Sequence, residues 1–260
     1  MSSSIYEMLL SKIELEKILD SIGISILNTS FSSKAGHIGG SLSLVQLLTY
    51  YLHSLKNSEV EWRIILSKGH SSLGLYSLFE HLEIEKNLTS SYCSIPGGFH
   101  GHTCSKASKY ILASTGSLGH GLPLAAGYAY ANFKKGNTID TICIIGDGDL
   151  QEGSNLEILH SLGRLRDCNL KILHDSNASV DSNFISANEF FMNITSLYSD
   201  NEFIKSFEMF SFLQHQKMRE WLSLPGLRIA NCITTKAFGF PQMYNNPRWH
   251  AGIPSNQELK

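Results

Sequence analysis

The chain has 260 residues, of which 42% are hydrophobic, and its formal net charge is −2 with a pI near 6.6. This length and apolar content suit one compact domain, and the weak negative charge offers no basic stripe for nucleic acid. The five cysteines include no Cys-x-x-Cys pair, and their odd number argues against a full disulfide framework. Charged residues interrupt the N-terminal apolar pattern, and no apolar run approaches the length needed to cross a bilayer. We therefore expect residues 1–260 to form a single cytoplasmic domain.

Helices and strands are predicted to alternate along the chain. Apolar residues at three- and four-residue spacing predict helices over residues 5–27, 41–54, 73–82, 122–131 and 156–166. Short apolar runs predict strands over residues 63–66, 141–145, 170–175 and 227–234. Ser41 is predicted to cap the second helix and Pro123 to lie in the first turn of the fourth, which we expect to be buried.

This alternation predicts a three-layer α/β/α fold with a mostly parallel sheet, because strands joined through a helix pair in parallel. Residues 90–108 are predicted to form an irregular loop. The tail after Ala237 contains three prolines and few periodic apolar residues. We expect it to wrap back toward the ligand-binding edge of the sheet.

The most informative segment is Ile-Ile-Gly-Asp-Gly-Asp-Leu-Gln-Glu-Gly at residues 144–153. It follows a predicted strand, at the sheet edge where α/β proteins bind ligands. Asp147 there, and Asn177 after the next strand, can offer hard oxygen ligands to a divalent cation that bridges a diphosphate. Gly148 lacks a Cβ, so its backbone N–H can approach a phosphate. Alone, Gly-Asp-Gly would more often be an ordinary tight turn.

Asp147, Asn177 and the residues around them resemble the thiamine diphosphate signature in the form found in transketolases. Four further segments look like transketolase motifs and occur in the family's order. They are Lys-Ala-Gly-His-Ile-Gly-Gly-Ser at 34–41, Ser-Lys-Gly-His at 67–70, Ser-Thr-Gly-Ser-Leu-Gly at 114–119 and Asn-Pro-Arg-Trp-His at 246–250. The resemblance implies the thiamine diphosphate-binding fold, specifically its diphosphate-binding domain.

The resemblance also implies roles for individual residues. Asp147, Asn177 and the backbone carbonyl of Ser179 would bind Mg²⁺, or Ca²⁺ or Mn²⁺ in its place. His37, His102 and His250 would face the donor ketose and assist proton transfers, and Glu152 would be the acidic residue between paired active sites. The residues expected to bind thiamine diphosphate are His70, Gly116, Ser117, Leu118, Gly146, Asp147, Gly148, Asn177 and His250.

The activity implied is transfer of a two-carbon ketol unit from a sugar or sugar phosphate to an aldehyde. In transketolases, the glutamate that promotes proton removal from the cofactor belongs to a second, pyrimidine-binding domain. We expect that domain and the C-terminal domain on a partner chain, which gives a split transketolase of α2β2 composition. Membranes and nucleic acids are not expected partners.

Three alternatives are open from the sequence. The chain could be a related carboligase that uses pyruvate, such as a deoxyxylulose-phosphate-synthase-like enzyme, or a noncatalytic cofactor-binding regulatory subunit. His37, His100 and His102 with an Asp could instead form the zinc or manganese site of a hydrolase. Residues 184–225 match transketolases poorly, and their phenylalanines could fill the core or contact a partner.

Overall fold

The computed structural model describes residues 9–94, 99–177, 201–244 and 246–258. In these ranges a single five-stranded sheet has the order β1-β2-β3-β5-β4, and every neighbouring pair is parallel. The strands are β1 (Trp62–Leu66), β2 (Asp140–Gly146), β3 (Leu170–Ser176), β4 (Ile204–Glu208) and β5 (Arg228–Ile233). The predicted parallel sheet is confirmed, because all neighbouring strands pair in parallel. As predicted, β2 and β3 are neighbours and are joined through a helix.

Six α-helices pack around this sheet in the described ranges. They are α1 (Lys12–Ser33), α2 (Ile38–Lys56), α3 (Ser72–His81), α4 (Gly121–Lys135), α5 (Gly153–His160) and α6 (Phe212–Leu222). A capping box fixes the start of α1: Ser11 accepts from the Glu14 N–H, and Glu14 accepts from the Ser11 N–H. Within the described residues, none of the helices combines the length and apolar character that a membrane span requires.

Alternating side chains of the strands fill two separate cores. On β2, Ile142 and Ile144 pack with α1, α2, α3 and α6, whereas Cys143 and Ile145 pack with α4 and α5 on the opposite face. Successive side chains of a strand point to opposite faces, so helices cover both sides of the sheet. The three-layer α/β/α prediction is confirmed.

The predicted start of α2 is wrong. Ile38 is its first residue, His37 is its N-cap, and Ser41 lies buried inside the helix. Of the glycines in the predicted loop, Gly39 and Gly40 lie in the first helical turn, whereas Gly36 precedes the helix. Neighbours approach Gly39 and Gly40 closely. A Cβ on Gly39 would lie 2.7 Å from the Trp249 carbonyl oxygen.

Two expectations outside the site also need correction. Helix α4 is not fully buried, because Leu124 is 49% exposed and Tyr130 is 43% exposed. Strand β4 and helix α6, in the poorly matched segment, were not predicted. Phe207 of β4 lies in the core and Phe210 is exposed, whereas residues 184–200 lie outside the described ranges.

Candidate active site

A cavity of about 140 Å³ lies beyond the carboxyl ends of β1, β2 and β3, where an α/β sheet binds ligands. The β2–β3 register places Gly146 opposite Asp175, so the segments after both strands meet at this edge. The tail returns here through His250, as expected. The lining residues are Gly40, Lys68, His70, Leu118, Gly146, Asp147, Gly148, Asp149, Asn177 and His250.

Asn177 is held in one amide orientation. Its Nδ2 donates to Ser43 Oγ at 2.9 Å and to Asp175 Oδ2 at 3.2 Å. Its Oδ1 is buried and accepts no hydrogen bond from any residue that the structure describes. A buried carbonyl oxygen without a partner is costly unless a ligand satisfies it. The orientation of this amide therefore fits a cation ligand that points into the cavity.

Lys68 and Asp175 form a buried ion pair beside the cavity, with Lys68 2% exposed and Asp175 0%. Asp175 also accepts from the hydroxyls of Ser43, at 2.7 Å, and Thr234. Lys68 additionally donates to the Gly40 carbonyl at 3.3 Å. Because the Lys68 side chain also lines the cavity, this end of the site offers a positive charge to an anionic ligand.

The two aspartates of Gly-Asp-Gly-Asp have different surroundings. Asp147 lines the cavity, is 3% exposed, and has its Oδ1 3.0 Å from His174 Nε2. Asp149 accepts from Ser67 Oγ at 2.7 Å and from the Gly119 and Gly146 N–H groups at 3.0 Å each. Asp149 therefore ties together three segments around the cavity.

Four histidines cluster beside the cavity, and two of them, His70 and His250, line it. The His37 ring centroid lies 5.2 Å from that of His70, 6.1 Å from that of His102 and 5.5 Å from that of His250. Burial, followed by the charges of His250 and His102, lowers the pKa of His37 to about 4. Burial, with Lys68 next in importance, lowers the pKa of His70 to about 2. The His37 and His70 imidazoles are consequently neutral at pH 7.

The structure describes most of the other predicted site residues. Gly116 and Ser117 are exposed, and a Cβ on Gly116 would lie 3.7 Å from His102 Cδ2. Glu152 is exposed at the N-cap of α5 and packs against Gly119. Ser179 lies outside the described residues.

The hydrolase alternative gains no structural support in the described part of the chain. No three His, Cys, Asp or Glu side chains there are placed to hold a metal ion. A transketolase-like cation site is of a different kind, because Asn and a backbone carbonyl would supply two of its ligands.

The sequence did not assign roles to several residues that the structure places in or behind the cavity. Lys68 and Asp149 lie inside two of the recognised motifs. Their position in those motifs is the sequence signal that could identify them as site residues. Ser43, Asp175, His174 and Thr234 carried no such signal, because only the packing of α2, β3 and β5 brings them together.

The N-terminal domain model of 1-deoxy-D-xylulose-5-phosphate synthase matches residues 6–237 of this chain. The chain belongs to this family. It is thereby a member of the thiamine diphosphate-dependent group that includes the transketolases, as its motifs indicated. Because the chain belongs to this family, the hydrolase alternative is rejected.

Individual relatives place the chain within the group. It is 29% identical to an apulose-4-phosphate transketolase subunit of Actinobacillus succinogenes, and the alignment covers 96% of this chain and 95% of that protein. It is 31% identical to the Mycoplasma genitalium transketolase over 58% of this chain, but only 26% of that protein. The structure of Leishmania mexicana transketolase superposes with a TM-score of 0.73 at 19% identity, covering 96% of this chain and 40% of that one. The shared fold is that of the transketolase N-terminal domain.

Proposed function

We propose that this chain is the diphosphate-binding subunit of a two-component transketolase. It would transfer a two-carbon ketol unit from a ketose or ketose phosphate to an aldehyde. The observation that carries the proposal is the cavity that brings Asp147 and Asn177 together with Lys68, His70 and His250. Asn177 Oδ1 accepts no hydrogen bond from the described residues. The end-to-end match to the Actinobacillus succinogenes protein, which is itself named as one subunit of a transketolase, supports it further.

The cavity residues fit a cation-bound diphosphate. Asp147 and Asn177 Oδ1 would hold Mg²⁺, Ca²⁺ or Mn²⁺, with the Ser179 carbonyl as the proposed third protein ligand. The Lys68 ammonium, the His70 ring and the Gly148 N–H would contact the diphosphate oxygens. Gly146 and the loop of Gly116, Ser117 and Leu118 would line the rest of the cofactor.

Thiamine diphosphate, when bound, supplies the electron sink for carbon–carbon bond cleavage. The protein's part is to orient the reactants and manage protons. The rings of His102 and His250 both lie next to that of His37, and these imidazoles would donate to substrate hydroxyls or exchange protons with the substrate. Glu152 would be the acidic residue that meets another polypeptide between paired active sites, and its exposure at the start of α5 is consistent with that role.

The proposed partner is a C-terminal transketolase subunit that carries the pyrimidine-binding domain, and the proposed assembly is α2β2 in the cytoplasm. We also propose that residues 1–260 form one domain, the diphosphate-binding domain of this enzyme. The support for this is the Actinobacillus succinogenes relative, which this chain covers almost completely. The Mycoplasma genitalium and Leishmania mexicana transketolases are longer, and this chain spans 26% and 40% of them.

A donor assay tests the proposed reaction. The chain is co-purified with its candidate partner, supplied with thiamine diphosphate and Mg²⁺, and offered a ketose phosphate or pyruvate with an aldehyde acceptor. We expect consumption of the ketose and a two-carbon extension of the acceptor, without release of carbon dioxide. Consumption of pyruvate with release of carbon dioxide would favour the synthase chemistry after which the matching family model is named.

A further inference from the structure

His174 of β3 belongs to a row of polar side chains that crosses the sheet. It is the register partner of Asn231 on β5, which is in turn the partner of Ser206 on β4. His174 Nδ1 lies 2.9 Å from Asn231 Oδ1, and Asn231 Nδ2 lies 3.2 Å from Ser206 Oγ. The row continues on the cavity side, where His174 Nε2 lies 3.0 Å from Asp147 Oδ1.

This row follows apolar residues on the same face of β3 and β5. Leu170 and Ile172 precede His174 on the same face of β3 and pack into the core beneath α4 and α5. His174 and Asn231 are both 0% exposed, so their polar atoms are costly to bury unless they are hydrogen-bonded. An apolar residue at position 174 would pack in this core without the cost of burying polar atoms. The presence of the row therefore points to a role at its cavity end.

The contact with Asp147 has a definite direction. A carboxylate can only accept, so Nε2 carries the hydrogen and donates it to Oδ1. Nδ1 faces Asn231 Oδ1 on the other side, which is also an acceptor, so the ring forms hydrogen bonds on both sides only with a hydrogen on each nitrogen. A donor at this position constrains the carboxylate of Asp147, a residue that lines the cavity.

We propose that His174 is a positioning residue that orients the Asp147 carboxylate for cation binding, with Asn231 fixing the imidazole ring from behind. This inference rests on the proposed function, because it takes Asp147 as a cation ligand. It makes cation binding depend also on His174, which is not among the residues that line the cavity. Neighbours that hold a ligand in place commonly change metal affinity by about 10- to 100-fold when they are altered.

Two substitutions of His174 test the contacts of its two ring nitrogens separately. The amide of His174→Gln reaches the place of Nε2 and can still donate to Asp147. The amide of His174→Asn reaches only the place of Nδ1, so it can contact Asn231 but not Asp147. Both variants keep a buried polar side chain, and Ile172→Val, on the same face of β3, controls for general effects of core substitution.

The measurement is a titration of the full-length chain with Mn²⁺ in the presence of thiamine diphosphate, followed by electron paramagnetic resonance, with melting temperatures recorded alongside. We expect His174→Asn to raise the Mn²⁺ dissociation constant about 10-fold or more, and His174→Gln and Ile172→Val to stay within about threefold of wild type.

Two outcomes overturn the inference alone: Asn and Gln variants that both bind like wild type, or that weaken binding equally, as a purely structural role requires. Failure of the wild-type chain to bind Mn²⁺ with thiamine diphosphate would instead defeat the proposed function, and the inference with it.

Discussion

Lys68 and Asp175 form an ion pair that is almost completely removed from solvent, and this pair joins the segments that follow β1 and β3. The same Asp175 oxygen that meets Lys68 also accepts from Ser43 and Asn177. The pair therefore does more than neutralise a charge: its carboxylate also holds the Nδ2 of Asn177, a residue that lines the cavity.

Replacing Lys68 with Met should destabilise the fold, because it leaves the Asp175 charge buried without its cation. The expected loss in the free energy of unfolding is about 3–5 kcal/mol, measured by urea denaturation at pH 7. The control is the double variant Lys68→Met/Asp175→Asn, which removes both charges and should lose less than the single variant. A loss below about 1 kcal/mol for Lys68→Met would mean that the pair behaves like an exposed one.

Gly119 should tolerate no side chain. Its φ is +82°, and a Cβ there would lie 2.7 Å from Glu152 Cβ. Gly136 is the matched control, because its φ is +73° but a Cβ would meet nothing within 4 Å. Both Ala variants should lose about 1–2 kcal/mol from backbone strain, and Gly119→Ala about 1–3 kcal/mol more from the clash. Equal melting temperatures for the two variants would contradict the close packing at Gly119.

Acidification should destabilise the ligand-free protein through its buried histidines. The pKa of His37 falls from its ordinary 6.5 to about 4 in the folded chain, chiefly because burial penalises its charged form. As the pH drops below 6.5, the unfolded chain takes up the proton first, so stability is present above 6.5 and declines toward pH 4. The measurement is the free energy of unfolding at pH 7 and pH 5, for wild type and His37→Asn.

The His37→Asn variant should lose less stability than wild type between the two pH values, because one buried group that resists protonation is gone. The same slope in both proteins would show that His37 does not contribute to the pH dependence.

The sequence predicted the fold well where hydrophobic periodicity was strong. The strands β1, β2, β3 and β5 were found within a residue or two, because each is a short apolar run with both faces buried. Strand β4 was missed because it lies at the sheet edge and alternates exposed polar residues with Phe207. Gly39 and Gly40 were misread as loop residues, since close approach by Trp249 and Ser71 cannot be seen in a sequence.

The candidate site could be predicted only as far as its motifs reached. His37, His70, His102 and His250 come from four distant segments, and the fold brings their rings together. Residues that act through a neighbour, such as Asp175 behind Asn177 and His174 behind Asp147, depend on strand register. No spacing in the sequence encodes that register directly.

The most direct measurement is ketol transfer by the purified chain, with and without its partner subunit, using wild type and Asp147→Ala. Asp167→Ala is the control, because Asp167 is an exposed carboxylate just before the opposite end of β3. We expect no turnover by the isolated chain, thiamine diphosphate-dependent turnover by the wild-type and Asp167→Ala complexes, and background rates for Asp147→Ala. Robust transfer by the isolated chain, or unchanged turnover in the Asp147→Ala complex, would contradict the two-component site.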